Sequence, residues 1–124
     1  NQNENKIVSD LGWEVYPEGI YPVLKDLKKY QKPIYITETG LADAKDKLRE
    51  RFIKDHLFWI HKAIEEGIDI RGYFHWSLMD NYEWDKGFWP RFGLLEIDYK
   101  TLERKIRPSA EVYAKICEEN SLEI

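Results

Sequence analysis

The sequence predicts an α/β fold in which this chain forms part of a larger parallel β-sheet structure. Two short β-favouring runs, residues 34–37 and a run within residues 68–78 centred on 72–76, alternate with segments of helical spacing, an order typical of β/α units. The first run lacks apolar/polar alternation, as in a strand that is buried on both faces. Two parallel strands cannot cover both faces of a sheet, so we expect further strands to complete it. A barrel of eight β/α units takes roughly 250 residues, and this chain has room for about a quarter of its strands.

Two helices are predicted around the first β run. The first opens at Pro17 and stops before Pro33, because proline suits a first helical turn and cannot continue a helix. The second is capped by Asp43 or Asp46 and ends at Gly67. Their apolar positions, spaced for a helix, are Ile20, Val23, Leu24, Leu27 and Tyr30 in the first and Leu48, Phe52, Ile53, Leu57, Ile60, Ala63 and Ile64 in the second.

A long, aromatic-rich loop separates the second β run from the last helix. The loop extends to about residues 89–90, and residues 92–98 are predicted to be extended. Pro108 opens the last helix, with Val112, Tyr113 and Ile116 turned inward.

Composition and charge exclude several classes of function. The chain has 124 residues, is 43% hydrophobic, and carries a net charge of −4 without a basic stripe, which argues against nucleic-acid binding. No apolar run reaches membrane length, so we expect no membrane contact and a cytoplasmic location. The single cysteine, Cys117, excludes an internal disulfide. His56, His61 and His75 lack a metal-ligand spacing and are predicted to be packing residues, so we expect no metal and no cofactor.

Carboxylates and indoles follow both predicted strands. Glu38 comes directly after the first run, Trp76 lies near the end of the second, and Glu83 and Trp84 lie in the loop beyond it. Two carboxylates together with exposed aromatic rings are typical of a site that binds and cleaves a sugar. A purely structural role is an alternative for each of these residues. Glu38 could pair with an arginine, Trp76 could pack in a core, and Glu83 and Trp84 could lie on a loop surface.

Several segments in the same order resemble glycoside hydrolase family 1, the β-glucosidase and β-galactosidase family. Residues 35–40 (Tyr-Ile-Thr-Glu-Thr-Gly) resemble its nucleophile motif, and residues 12–19 resemble the segment before it. Residues 72–84 and 91–94 resemble its final strand and the loop that follows. The resemblance implies that residues 1–124 are the C-terminal segment of a single (β/α)8 barrel domain, about two of its eight β/α units.

The same resemblance implies the role of each site residue. Glu38 would be the nucleophile that forms a covalent glycosyl-enzyme intermediate. Glu83 would accept hydrogen bonds from the sugar O4 and O6 hydroxyls, and the Trp84 indole would donate to O3. Trp76 would form the floor under the sugar ring, and Phe92 would line the pocket near O6. The implied activity is that of a retaining β-glycosidase acting on terminal β-D-glucosides or galactosides.

One part of the family's machinery is not found in this sequence. The acid/base glutamate of the family lies in an Asn-Glu-Pro motif, and this chain contains no such motif. We therefore expect a complementary N-terminal barrel chain to supply it. The alternative hypothesis is a non-catalytic carbohydrate-binding or structural fragment of such a barrel, which would bind sugar without labelling of Glu38 by a fluoro-sugar inactivator.

Overall fold

A computed structural model describes residues 6–122 of the chain. Helices and strands alternate through its first part, and a small hairpin precedes the last helix. Short 3-10 segments lie at Pro17–Gly19, Lys28–Tyr30 and Trp84–Lys86. The elements in chain order are α1 (Ile20–Leu27), β1 (Ile34–Thr39), α2 (Arg49–Glu65), β2 (Ile70–His75), β3 (Leu95–Ile97), β4 (Arg104–Ile106) and α3 (Pro108–Glu119).

The strands β1 and β2 pair in parallel, with Ile34 opposite Ile70. Helices α1 and α2 cover one face of this pair, where Leu24, Ile60 and Ala63 are almost fully buried. The two predicted β/α units are therefore confirmed, and their core lies between the sheet and the two helices.

The other face of the same strand pair is open. Tyr35 and Phe74 lie on it, and they are 53% and 56% exposed. This open face agrees with the expectation that further strands complete the sheet, because the first strand is predicted to be buried on both faces only in the larger structure. The face is open because α1 and α2 pack against one side only, and no element of residues 6–122 packs against the other.

The first predicted helix is shorter than its apolar pattern suggests. The 3-10 segments Pro17–Gly19 and Lys28–Tyr30 flank the α-helical turns of α1. Leu24 is buried, whereas Val23 and Tyr30 are 57% and 62% exposed. Only the side of α1 that faces α2 and the sheet is buried. Val23 and Tyr30 lie outside this buried side and do not enter the core.

Both ends of α2 follow the predicted signals. The Asp43 Oδ2 atom accepts the backbone N–H groups of Leu48 and Arg49, at 2.8 and 3.1 Å. At the other end Gly67 has φ +80°, and its N–H donates to the carbonyl of Ile64 at 2.8 Å. This left-handed residue after the last turn is the helix stop that glycine favours.

The predicted second cap, Asp46, has a different task. It pairs with the fully buried Arg49 and accepts the backbone N–H of Ser109 at 3.0 Å and its hydroxyl at 2.6 Å. Burial alone would raise the pKa of Asp46, but the hydrogen bonds from Ser109 and the nearby Arg49 hold it below its usual range. Asp46 therefore joins the start of α2 to the start of α3.

The hairpin of β3 and β4 was only half predicted. Residues 92–98 were expected to be extended, and β3 occupies three of them, but β4 was not predicted. The Asp98 side chain accepts the N–H groups of Lys100 and Thr101, at 2.8 and 3.2 Å, which turns the chain back. The last helix opens at Pro108 as predicted.

The three histidines have different surroundings. His56 is buried on α2, and its Nδ1 lies 2.7 Å from the carbonyl of Phe52, so its packing role is confirmed. His61 is exposed, so that prediction is wrong for it. His75 ends β2 between the rings of Phe52 and Tyr113, and neither of its ring nitrogens has a hydrogen-bond partner within residues 6–122.

The described part of the chain contains no helix that is both long enough and apolar enough to cross a membrane. The cytoplasmic location stays a prediction.

Gly40→Ala is expected to destabilise the protein by about 3 kcal/mol or more, because the added Cβ would lie 1.7 Å from the Trp76 carbonyl oxygen. Gly67→Ala is the control, since the added Cβ would lie there in ordinary contact, 3.8 Å from the Lys28 Nζ, and only the left-handed φ costs about 1–2 kcal/mol. Urea unfolding followed by tryptophan fluorescence measures both changes. Equal losses in the two variants would contradict the close approach at Gly40.

His75 should make stability depend on pH. Burial, and then the charges of Arg49 and His56, lower the pKa of His75 to about 4 from 6.5. Between these values the unfolded chain binds a proton that the folded chain does not. Stability should therefore fall by about 3 kcal/mol as the pH drops from 6.5 to 4.

Urea midpoints between pH 7 and 4.5 test this dependence. His75→Phe should remove most of the slope, leaving the smaller share of His56, whose pKa is also lowered by burial. The exposed His61→Phe is the control and should keep the wild-type slope. An unchanged slope in His75→Phe would contradict the prediction.

Candidate active site

The carboxyl ends of β1 and β2 meet at one edge of the sheet, and two predicted site residues lie there. The Trp76 N–H donates to the carbonyl of Thr39 at 2.9 Å. Gly40 packs so closely on the Trp76 carbonyl that a side chain would not fit between them. The structure therefore brings Glu38 and Trp76 to neighbouring strand ends, as the sequence predicts.

The carboxylate of Glu38 is exposed and has no hydrogen-bond or ion-pair partner within residues 6–122. Its backbone carbonyl accepts the Thr39 hydroxyl at 2.8 Å, which fixes the chain at this point. The alternative in which Glu38 pairs with an arginine finds no such partner in the described chain. The side chain is therefore free to meet a ligand on this edge.

The loop that leaves β2 is closed at its base by backbone hydrogen bonds. The Trp76–Ser77 peptide bond is cis. The Ser77 N–H donates to the carbonyl of Phe92 at 3.2 Å, and the Ser77 carbonyl accepts the N–H of Leu94 at 2.8 Å. These contacts hold the start and the end of the loop together beside Trp76.

Asp80 reinforces the base of this loop. Its side chain is fully buried, and its carboxylate accepts the N–H groups of Gly93 and Ile97, at 2.9 and 3.3 Å. Arg107 donates to both carboxylate oxygens, at 3.0 and 3.2 Å, and Arg91 donates at 3.2 Å. Burial alone would raise the pKa of Asp80, but the bonds from Arg107 and Gly93 hold it below its usual range. Asp80 therefore braces the base of the loop.

Glu83 and Trp84 lie together in a tight turn of this loop. The Glu83 N–H donates to the carbonyl of Gly87 at 2.7 Å, and the Lys86 N–H donates to the carbonyl of Glu83 at 2.8 Å. Glu83 is half-buried, whereas the indole of Trp84 is 80% exposed. The turn therefore carries a carboxylate and an indole N–H on consecutive residues, and both groups can bond to sugar hydroxyls.

Phe92 is more deeply placed than the other site residues. It is 4% exposed, and its ring centroid lies 6.3 Å from that of Trp13, at an interplanar angle of 50°. Its predicted place in the pocket wall stays a prediction.

Trp13 was not assigned a role from the sequence. The Asp10 carboxylate accepts the N–H of Ala44 at 2.7 Å and ties this early segment to the loop after β1. The resemblance of residues 12–19 to the family segment before the nucleophile motif did not predict the contact of Trp13 with Phe92.

The roles of Arg91 and Arg107 were also not predicted, because each arginine bonds to a residue that is distant in the sequence and local sequence patterns do not show such contacts. Arg107 lies 27 residues beyond its partner Asp80. Within residues 6–122 no group of three histidine, cysteine or acidic residues is arranged to hold a metal ion.

Comparisons with known proteins agree on one family. The sequence profile described as Glycosyl hydrolase family 1 matches residues 1–122. A β-galactosidase from Sulfolobus acidocaldarius is 49% identical over 119 residues, which cover 95% of this chain and 24% of the relative. Beta-glucosidase A of Thermotoga maritima is 41% identical, covering 91% of this chain and 28% of the relative.

Solved structures give the same result. The β-glycosidase from Pyrococcus horikoshii matches with a TM-score of 0.94 at 51% identity, covering 98% of this chain and 29% of that one. The β-glycosidase from Thermosphaera aggregans matches with a TM-score of 0.91 at 45% identity, covering 95% of this chain and 25% of that one.

The chain thus spans about a quarter of the length of the curated relatives it matches, 24% and 28% in the two cases above. Its two parallel β/α units and its last helix correspond to the C-terminal part of a (β/α)8 barrel. With a family match over nearly its whole length, the chain belongs to glycosyl hydrolase family 1.

Proposed function

We propose that this chain supplies the nucleophile and part of the glycone-binding wall of a retaining β-glycosidase that hydrolyses terminal non-reducing β-D-glucosides and galactosides. The observation that carries the proposal is the placement of an unpaired Glu38 carboxylate at a strand end that adjoins Trp76. Relatives with the names β-galactosidase and beta-glucosidase A support this substrate class.

In the proposed reaction, the Glu38 carboxylate attacks the anomeric carbon as the bond to the leaving oxygen breaks. A second carboxylic acid protonates that oxygen, and the alcohol leaves. The second carboxyl group, now a carboxylate, then takes a proton from a water molecule. This water attacks the anomeric carbon of the glycosyl ester and releases the Glu38 carboxylate. In retaining enzymes the two carboxyl groups lie roughly 5–5.5 Å apart.

The second carboxyl group must come from outside this sequence, which has no Asn-Glu-Pro motif. We infer that further strands of the barrel supply it. The open face of the sheet supports this inference. Tyr35 and Phe74 are about half exposed there, and Trp76 follows Phe74 on the same face by strand alternation. An apolar sheet face of this kind is stable only when other elements cover it.

Binding of the sugar is assigned to the loop and to Trp76. Glu83 accepts hydrogen bonds from the O4 and O6 hydroxyls, and the Trp84 indole N–H donates to O3. The Trp76 ring stacks under the sugar, and Phe92 lines the wall near O6. The half-buried Glu83 suits this role, because a partly desolvated carboxylate makes stronger hydrogen bonds than one in open water.

Glu38→Gln in the complete enzyme should lower turnover of an aryl β-glucoside by about a thousandfold or more, because the amide cannot form the glycosyl ester. Glu65→Gln is the control: this side chain is exposed at the far end of α2, away from the strand ends that carry Glu38. Initial-rate kinetics measure both. Residual turnover of Glu38→Gln near that of Glu65→Gln would sink the nucleophile assignment.

Glu83→Gln should weaken kcat/KM for glucosides by about 10- to 100-fold, because each charge-assisted bond to a hydroxyl contributes about 1.5–3 kcal/mol. The ratio of activity on glucosides and galactosides should also change, since these sugars differ at C4.

Paired assays on the two aryl glycosides measure this ratio. The exposed Glu96→Gln, in β3, is the control. A Glu83→Gln variant that keeps the wild-type preference between the two sugars would count against contact with O4.

A further inference from the structure

We propose that Tyr99 is a positioning residue that holds the Glu83–Trp84 turn in its sugar-binding orientation. This inference rests on the glycone-binding role proposed for that turn. Tyr99 lies in the turn between β3 and β4, outside the loop that it supports.

The turn itself is closed by its own backbone. Besides the bonds of Glu83 already described, the Gly87 N–H donates to the carbonyl of Trp84 at 3.1 Å. These bonds fix the shape of the turn but not its orientation, because all of them lie between residues 83 and 87. Contacts on its flanks must therefore set the direction in which Glu83 and Trp84 point.

Aromatic rings flank the turn on both sides. Tyr82 directly precedes it and Phe88 directly follows it, and their ring centroids are 5.2 Å apart at 63°. Phe88 packs in turn on Tyr99, with centroids 4.7 Å apart. The Tyr99 hydroxyl donates to the backbone carbonyl of Asn81 at 3.3 Å. Tyr99 thus contacts the chain before the turn and the ring after it.

Tyr99 is itself held from the base of the loop. The guanidinium of Arg91 lies 4.3 Å from the centroid of the Tyr99 ring. Arg91 donates to the buried Asp80 at 3.2 Å and to the carbonyl of Ile97 at 2.9 Å. A continuous series of contacts therefore leads from the buried Asp80 carboxylate through Arg91, Tyr99 and the Phe88 ring to the turn.

Loss of the Tyr99 ring should loosen the turn without touching the reacting atoms. Glu83 and Trp84 would then bind the sugar less well in both the ground state and the transition state. Loss of such uniform binding raises KM and leaves kcat nearly unchanged. A defect that disturbed Glu38 would lower kcat instead.

The test compares Tyr99→Leu, Tyr99→Phe and the control Tyr113→Leu in the complete enzyme. Tyr113 is a half-buried tyrosine that packs on Tyr73 and His75, away from the loop. Hydrogen–deuterium exchange of the amides of residues 82–88 reports on the turn. KM and kcat for an aryl β-glucoside report on how well the turn binds the substrate.

In Tyr99→Leu, exchange should be about tenfold faster and KM about tenfold higher, with kcat within about threefold of wild type. Tyr99→Phe keeps the ring and should restore both values to near wild type. Tyr113→Leu should leave both unchanged.

Unchanged exchange in Tyr99→Leu would overturn the inference, as would the same changes in Tyr113→Leu. Faster exchange with an unchanged KM would also overturn it, since the turn would then move without affecting the sugar. Exchange is measured without substrate, so its result is separate from that of Glu38→Gln, on which the proposed reaction itself depends.

Discussion

The ends of β1 and β2 approach so closely that only a glycine fits between them, and the geometry of the candidate site depends on this contact. A side chain at Gly40 would overlap the Trp76 carbonyl oxygen, and the hydrogen bond from the Trp76 N–H to Thr39 fixes the same junction. Backbone contacts therefore place Glu38 beside Trp76. In the proposed reaction, a backbone fixed in this way limits the reorganisation that the Glu38 carboxylate needs before it attacks.

Two carboxylates near this edge have opposite surroundings and therefore opposite uses. Asp80 is buried, and two backbone N–H groups and two guanidinium groups consume its hydrogen-bonding capacity. Glu38 is exposed and, within the described residues, unpaired. The first carboxylate stabilises the loop that carries Glu83 and Trp84, and the second remains available for the role proposed for it. The same side-chain type thus acts as a brace or as a candidate nucleophile according to its partners.

Local signals in the sequence predicted most of the elements. Pro108 opens a helix and Gly67 ends one because each residue acts through its own backbone geometry. The strand β4 was missed because its three residues are all exposed and carry no apolar pattern. The contact between Asp80 and Arg107, its principal partner, was not predicted, since it joins distant parts of the chain. The open face of the sheet agrees with the expectation that further strands complete it, because two parallel strands cannot cover both of their faces.

The most direct test of this account is to trap the glycosyl-enzyme intermediate. The complete enzyme would be treated with a 2-deoxy-2-fluoro-β-glucosyl fluoride, its chains resolved by intact-mass spectrometry, and the labelled peptide sequenced. We expect one sugar ester on this chain, located at Glu38, and loss of activity in step with labelling. A label on another carboxylate, or bound sugar without any covalent label in an enzyme that turns over glycosides, would contradict the assignment.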